Sequence, residues 1–168
     1  MDQKKVPVLS TLQINRKIER IAHQIIEHNY TEERVVLIGI AKQGFALAER
    51  IRTKITENSE IPTEMLQLTM DKKQPLSENY SISGPADALN DRSVILIDDV
   101  LNSGRTLIYA AREILKYPIK KLTTVVLIDR RHRKFPIKAD FVGLTLSTTI
   151  QEHISVELDP GKEMAYLE

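Results

Sequence analysis

Three strand-length runs made up mostly of apolar residues constrain the fold more than any other feature of the sequence. They lie at Val35–Ile40, Val94–Ile97 and Leu122–Ile128. A strand with one face in water alternates apolar and polar residues, whereas continuous runs indicate strands that are buried on both faces. Segments with helical spacing of apolar residues lie between the runs. This alternation predicts an α/β fold in a single domain, with a mostly parallel twisted sheet flanked by helices on both faces.

Weaker patterns predict the remaining elements. Ser10 and Gln13 have the spacing of a capping box, and apolar residues repeat at helical intervals from Ile14 to Ile25, so a first helix is expected to end at Asn29-Tyr30. The other predictions are a turn at residues 41–44, helices at about 45–56 and 104–116, and strands at about 64–69, 141–146 and 154–158.

The segment from Met70 to Arg92 has neither a helical nor a strand period, and proline, serine and glycine interrupt it throughout. A structureless loop of this length inside a compact domain indicates a lid or a binding loop. We therefore predict a lid, or hood, that spans about residues 64–92. The alternative is a mobile connection without a functional role.

Composition and charge narrow the classes of partner. The formal net charge is +1, so composition predicts no nucleic-acid or membrane partner, and RNA binding would need a local basic patch. The apolar runs are too short for a transmembrane helix, and the first residues do not have the pattern of a signal peptide. The chain has no cysteine, which excludes disulfides and fits a cytoplasmic protein.

Two adjacent acids, Asp98 and Asp99, directly follow the apolar run Val94–Ile97. In open parallel sheets, ligands bind at the carboxyl ends of the strands. Two carboxylates placed there can accept hydrogen bonds from a vicinal diol, such as the 2′- and 3′-hydroxyls of a ribose. The alternative is a structural pair that forms a turn or a helix cap.

A possible anion site follows the acids, at the start of the predicted third helix. Ser103, Gly104 and Thr106 are small or carry hydroxyls, so backbone N–H groups can approach an anion at a helix N-terminus. Plain helix capping would explain Ser103-Gly104 alone. Acids and small residues together, in this order after a buried strand, predict a diol site beside a phosphate site, which matches ribose 5-phosphate.

The string from Val94 to Thr106 resembles the signature of type I phosphoribosyltransferases, which bind phosphoribosyl pyrophosphate (PRPP). The resemblance implies that Asp98 and Asp99 hold the ribose hydroxyls and, as the catalytic pair, favour the positive charge of the transition state. It assigns the 5-phosphate to Asn102, Ser103, Gly104, Arg105 and Thr106. It assigns pyrophosphate to the loop after the first core strand, which is Ala41, Lys42, Gln43 and Gly44. By itself, Lys42 would be interpreted as a solvated surface lysine.

The sequence is more closely similar to the PyrR family of bifunctional pyrimidine-operon attenuators and uracil phosphoribosyltransferases. Three stretches carry this resemblance: residues 20–27, the loop with Gly104-Arg105-Thr106, and residues 127–143. It implies conversion of uracil and PRPP to UMP and pyrophosphate, with Mg²⁺ bound with PRPP or pyrophosphate and no direct protein ligand assigned to the metal. It also implies a homodimer or a higher homo-oligomer.

The resemblance also implies sites for the base and for RNA. The base is expected near Phe141 and Val142, although Phe141 could equally be an ordinary core residue of a strand. A messenger-RNA hairpin is expected to bind a basic face that includes Arg20, His23, Arg131 and Arg133. The cluster of basic residues at 130–138 could instead be a solvated surface.

Two departures from the PyrR pattern leave the activity open. Asn102 stands where PyrR proteins usually have tyrosine and purine enzymes usually have a proton-accepting aspartate. The lid pattern Tyr-Arg-Asp-Asp has its nearest counterpart in residues 69–72, so the lid arginine is missing or replaced by Lys72 or Lys73. Three functions are therefore compatible with the sequence: a uracil phosphoribosyltransferase, a nucleotide-sensing RNA-binding regulator with little or no catalysis, and a purine phosphoribosyltransferase.

Overall fold

A computed structural model describes residues 5–168 of the chain. The described elements, in chain order, are β1 Val6–Leu9, α1 Thr11–Asn29, β2 Val35–Ile40, α2 Ala41–Asn58, β3 Thr63–Thr69, β4 Ser81–Ile82, β5 Ser93–Leu101, α3 Arg105–Ile114, β6 Lys121–Asp129, β7 Phe141–Thr145, β8 Ile154–Glu157 and β9 Met164–Leu167. Six of the strands form a central sheet in the order β4-β3-β2-β5-β6-β7. Only the short β4 is antiparallel to its neighbour, which confirms the mostly parallel sheet.

Helices cover both faces of this sheet, as predicted. Alternate residues of β2 and β5, such as Leu37 and Ile95, pack against α1 and α2. The intervening residues, such as Ile38 and Leu96, pack against α3. The three apolar runs are therefore buried on both sides because each face of the sheet has its own helical layer.

A second, three-stranded antiparallel sheet has the order β1-β9-β8, and we call it the hood sheet. It contains none of the residues of the lid predicted at about 64–92. Arg50 of α2 fixes it to the rest of the fold by donating to the backbone carbonyl of Leu158 at 3.1 Å and by pairing with the carboxylate of Glu163. The sequence predicted β8 but missed β1 and β9. The predicted lid also begins too early, because residues 64–69 lie in β3 of the central sheet.

The start of α1 agrees with the sequence prediction, whereas the start of α2 does not. Ser10 and Gln13 form the predicted capping box. The predicted turn at residues 41–44 is wrong, because these residues form the first turn of α2. The chain changes direction at one residue, Ala41, whose φ of 52° lies in the left-handed region. Strand β2 therefore passes directly into the helix without a separate turn.

In the predicted loop at residues 70–92, the structure has a two-residue strand, β4, paired with the end of β3. Leu89 from the same segment is buried in the core layer on the α3 side of the sheet. This part of the chain is therefore partly anchored. Among residues 5–168, no helix combines the length and apolar character that crossing a membrane requires.

Candidate functional site

A pocket of about 200 Å³ lies where β5 ends and α3 begins. Its wall brings together the acids Asp98 and Asp99, the loop at residues 102–104 and the first turn of α3. Lys72 and Ile154 complete the wall from the segment after β3 and from the hood sheet. The sequence-predicted acid pair and anion loop thus share one cavity at the carboxyl edge of the central sheet.

The acid pair is already in contact with a cation. Lys72 Nζ lies 3.1 Å from Asp98 Oδ1 and 3.9 Å from Asp99 Oδ1. Asp98 is 2% exposed, and this burial, together with the charge of Asp99, raises the pKa of Asp98 to about 8 despite the opposing effect of Lys72. Burial disfavours the charged form of Lys72, but the two carboxylates outweigh it and raise the Lys72 pKa.

The loop between β5 and α3 is held in one conformation. Gly104 has a φ of 85°, and a Cβ at this position would lie 2.8 Å from the Ile137 side chain, so the position requires glycine. The carbonyl of Ser103 accepts hydrogen bonds from the backbone N–H groups of Lys134 and Phe135, at 2.8 and 3.1 Å. The N-terminus of α3 therefore opens onto the pocket in a fixed position, where an anion is favoured.

The predicted pyrophosphate residues lie beside the pocket rather than in its wall. A Cβ on Gly44 would lie 2.7 Å from the Ile97 carbonyl and 3.3 Å from Asp98 Oδ1, so α2 begins in direct contact with the acid-bearing strand. Ala41 accepts a hydrogen bond from Gln67 at 3.1 Å through its backbone carbonyl. Lys42 and Gln43 are exposed, and Lys42 forms no ion pair within residues 5–168.

The structure does not bring the two predicted base residues into the pocket. The Phe141 side chain is 7% exposed in the core beneath α1, and its ring centroid lies 4.9 Å from that of His28. Val142 packs in the layer on the α3 side of the sheet. The Phe141 ring is therefore unavailable for stacking on a ligand, and its interpretation as a core residue is the one that fits.

All four predicted RNA-binding residues, Arg20, His23, Arg131 and Arg133, are exposed. Arg133 also lies 3.7 Å from Asp129 in a partial ion pair. Arg20 also donates to the backbone carbonyls of Val142 and Gly143, at 3.0 and 2.8 Å. Arg20 thus ties α1 to β7, and this structural role was not predicted.

Two residues near the pocket were missed. Arg130 was counted in the basic cluster at 130–138, but it is 5% exposed and donates to Asn102 Oδ1 at 2.8 Å. Its place directly after a buried run was the signal that could have revealed it, since residues at the carboxyl edge face the ligand region. Ile154 of the hood sheet carried no comparable signal.

The donor set suits a Mg²⁺ ion held largely by a ligand. Among the described residues, no group of three or more histidine or acidic side chains could hold a metal ion alone. Mg²⁺ usually binds through one or two carboxylates together with substrate phosphates and water. Asp98 and Asp99 provide two carboxylates in the pocket and therefore fit this arrangement.

Comparison with known proteins gives consistent results. A family model described as the phosphoribosyl transferase domain matches residues 8–160. The "Bifunctional protein PyrR" of Deinococcus radiodurans is 38% identical, over 94% of this chain and 90% of that protein. The protein of the same name from Staphylococcus saprophyticus is 37% identical, over 90% of this chain and 91% of its own length.

Among solved structures, a hypoxanthine-guanine phosphoribosyltransferase from Bacillus anthracis superposes with a TM-score of 0.74 at 22% identity, covering 90% of this chain and 88% of that one. A hypoxanthine phosphoribosyl transferase from Trypanosoma cruzi has a TM-score of 0.79 at 17% identity, covering 100% of this chain and 93% of that one. At this level of identity, the similarity concerns the fold alone.

Proposed function

The chain belongs to the phosphoribosyl transferase domain family and, within it, to the PyrR group, and from this premise we propose that it transfers phosphoribose from PRPP to uracil, releasing UMP and pyrophosphate. The observation that carries the proposal is the shared pocket, in which Asp98 and Asp99 lie beside the anion loop at the start of α3. A diol site next to a phosphate site matches the two functional parts of ribose 5-phosphate. The identity of the base rests on the similarity to PyrR proteins.

In this proposal the carboxylates of Asp98 and Asp99 accept hydrogen bonds from the ribose hydroxyls. Ligand hydroxyls would replace Lys72 as the partner of Asp98 Oδ1, which the Lys72 ammonium now approaches to 3.1 Å. The 5-phosphate would bind the N-terminal backbone of α3, with hydroxyl donors from Ser103 and Thr106. Each part of the sugar phosphate thus has a matching partner in the pocket wall.

The reaction is a displacement at C1 of the ribose. A ring nitrogen of the base forms the new C1–N bond while the C1–O bond to pyrophosphate breaks, pyrophosphate leaves with the electron pair, and the nitrogen loses its proton to solvent. Positive charge that develops on the ribose is stabilised by the negative charge of the nearby acid pair, Asp98 and Asp99. Lys42, at the start of α2, would attract the pyrophosphate as a point charge. Magnesium bound with PRPP would neutralise charge on the leaving group.

The segment at residues 70–92 would act as the lid in this scheme. Lys72 already reaches the pocket from this segment, and its charge suits either the acids or a pyrophosphate. A closed lid excludes water, which would otherwise hydrolyse PRPP.

RNA binding is a second proposed function, and the exposure of His23, Arg131 and Arg133 favours it. Contacts with RNA phosphates would make binding strongly dependent on salt. Filter binding of pyrimidine-operon leader RNA at 50 and 200 mM salt would test it. The expected result is binding of the leader RNA that weakens at least about tenfold at the higher salt. If the leader RNA and an unrelated RNA bind equally weakly, the result counts against this function.

A base panel tests the proposed transferase. Protein, Mg²⁺ and PRPP are incubated with uracil, hypoxanthine, guanine, xanthine, adenine or orotate, and pyrophosphate release is followed. Release with uracil is expected, and an Asp98→Asn, Asp99→Asn double variant should abolish it. Glu57→Gln is the matched control, because it makes the same carboxylate-to-amide change on an exposed face of α2. Release with a purine alone would refute uracil as the substrate, and absence of release with every base would refute the transferase itself.

A further inference from the structure

Arg130, directly after β6, links the anion loop of the pocket wall to residues 148–152, which lie just before Ile154 of that wall. Its guanidinium donates to Asn102 Oδ1 at 2.8 Å in the anion loop. It also donates to Thr148 Oγ1 at 3.0 Å, to the Thr149 carbonyl at 3.2 Å and to the carbonyl of Glu152. Residues 148–152, which include these last three partners, lead directly into β8 of the hood sheet. One side chain therefore fixes both the anion loop and the approach to the hood.

The charge of Arg130 determines how the Asn102 amide is oriented. Arg130 is 5% exposed and forms no ion pair with a carboxylate in the described part of the chain. A guanidinium has only donors, and a buried one is costly unless its donors are satisfied. The amide oxygen of Asn102 must therefore face Arg130, because the opposite orientation would place N–H groups against N–H groups.

The nitrogen of the same amide is the side of Asn102 that Arg130 does not engage. Asn102 is exposed and lines the pocket, and its Nδ2 donates to no acceptor within residues 5–168. An amide held in this way offers donors to a ligand and cannot accept a proton from it near neutral pH.

We propose that Arg130 is a positioning residue, which holds the Asn102 amide so that its N–H groups donate to a hydrogen-bond acceptor of the bound nucleotide. The acceptor is a carbonyl oxygen or unprotonated ring nitrogen of the base, or an oxygen of the 5-phosphate. The proposal rests on the proposed function, since that function supplies the nucleotide. It adds a residue that acts on the ligand through Asn102 without touching the ligand itself.

Asn102→Asp is the sharpest test, because it separates the two sides of the amide. The carboxylate keeps an oxygen for Arg130 and supplies its missing counter-charge, so the midpoint of thermal unfolding should be unchanged or higher. The donors toward the ligand are lost, so UMP affinity measured by calorimetry should fall at least about tenfold. Ribose 5-phosphate serves as a second ligand: a loss confined to UMP identifies the base as the acceptor, and an equal loss identifies the phosphate. Unchanged affinity for both ligands overturns the proposal.

Arg130→Lys tests the positioning role itself. Lysine keeps the charge but lacks the planar fork that reaches acceptors on two segments at once. If Arg130 acts through Asn102, the losses of UMP affinity caused by Asn102→Ala and by Arg130→Lys should not multiply. The double variant should then bind UMP no more weakly than Asn102→Ala alone. Multiplicative losses, as expected from a merely structural role, overturn the proposal.

A readout without ligand separates this proposal from the proposed function. In ¹H–¹⁵N spectra of the ligand-free protein, the Asn102 side-chain NH₂ signals should shift in Arg130→Lys but not in the Glu57→Gln control. Unshifted signals overturn the positioning role whatever the protein binds. If they shift while wild-type protein binds neither PRPP nor any nucleoside monophosphate, the contact stands and the proposed function fails.

Discussion

Asp98→Asn is expected to stabilise the ligand-free protein while destroying its ligand site. Burial and the neighbouring Asp99 raise the pKa of Asp98 from 3.8 to about 8. At about 1.36 kcal/mol per pKa unit, the charged form is disfavoured by roughly 6 kcal/mol at most. An asparagine carries no charge, but its N–H groups lie beside the Lys72 ammonium without an acceptor, which costs about 1–3 kcal/mol. The expected net gain is therefore about 3–5 kcal/mol at alkaline pH.

The sign of the pH dependence follows from the direction of this pKa shift. Because the pKa of the folded state is raised, Asp98 contributes its full stability below pH 4, where it is protonated in both states. That contribution is lost as pH rises toward the folded-state pKa of about 8. The unfolding free energies of wild type and Asp98→Asn should therefore diverge between about pH 4 and pH 8, with the variant the more stable at the upper end.

Urea denaturation at a series of pH values measures this difference directly. A gain of this size corresponds to a rise of roughly 6–20 °C in the thermal midpoint at pH 9 for a domain of this length. Glu57→Gln, which alters an exposed carboxylate, should follow the wild-type curve. If the free energies of unfolding of the two proteins run parallel with pH, or if Asp98→Asn is less stable at pH 9, the conclusion that burial disfavours the charged form of Asp98 is refuted. If the gain is found, the aspartate is retained at a cost in stability, as is common for functional residues.

Three further changes test other parts of the site. Gly104→Ala should destabilise the protein by about 2 kcal/mol in urea denaturation, because alanine is strained at a φ of 85° and its Cβ would lie 2.8 Å from Ile137; a wild-type midpoint would contradict this. Arg20→Ala should cost about 1–2 kcal/mol through two lost hydrogen bonds, whereas His23→Ala should stay within about 0.5 kcal/mol of wild type, and equal effects would refute the structural role of Arg20. Lys72→Met should raise the pKa of Asp98 further, because the positive charge of Lys72 lowers it; ¹³C NMR titration measures this pKa, and a lowered value would contradict the ion pair.

Much of the fold could be predicted because its strands are buried on both faces. Runs such as Val35–Ile40 are recognised as buried strands because nearly all their residues are apolar. The acids at the end of β5 indicate the pocket because ligands bind at the carboxyl ends of parallel strands. Strands β1 and β9 could not be found in this way. Each has four residues and neighbours of mixed polarity, so no period of two can be established.

The remaining errors concern the direction in which a side chain points. Phe141 begins β7, and the sequence does not indicate whether it faces α1 or the ligand region. Arg130 lies in a run of basic residues, and a charged residue in such a run is usually solvated. Its burial depends on carbonyls from residues 149 and 152, which only the folded chain brings near. Contacts between distant segments of this kind leave no local pattern.

The hood sheet has a consequence for the biosynthesis of the protein. Val6 of β1 pairs with Leu167 of β9, so the two partners leave the ribosome far apart in time. At about 5–20 residues per second, roughly ten to thirty seconds of translation separate them. During that interval β1 is a strand edge without its partner, and such edges promote aggregation. Pro7 lies within this short strand and lacks a backbone N–H, which makes the nascent segment a poor template for pairing with another chain.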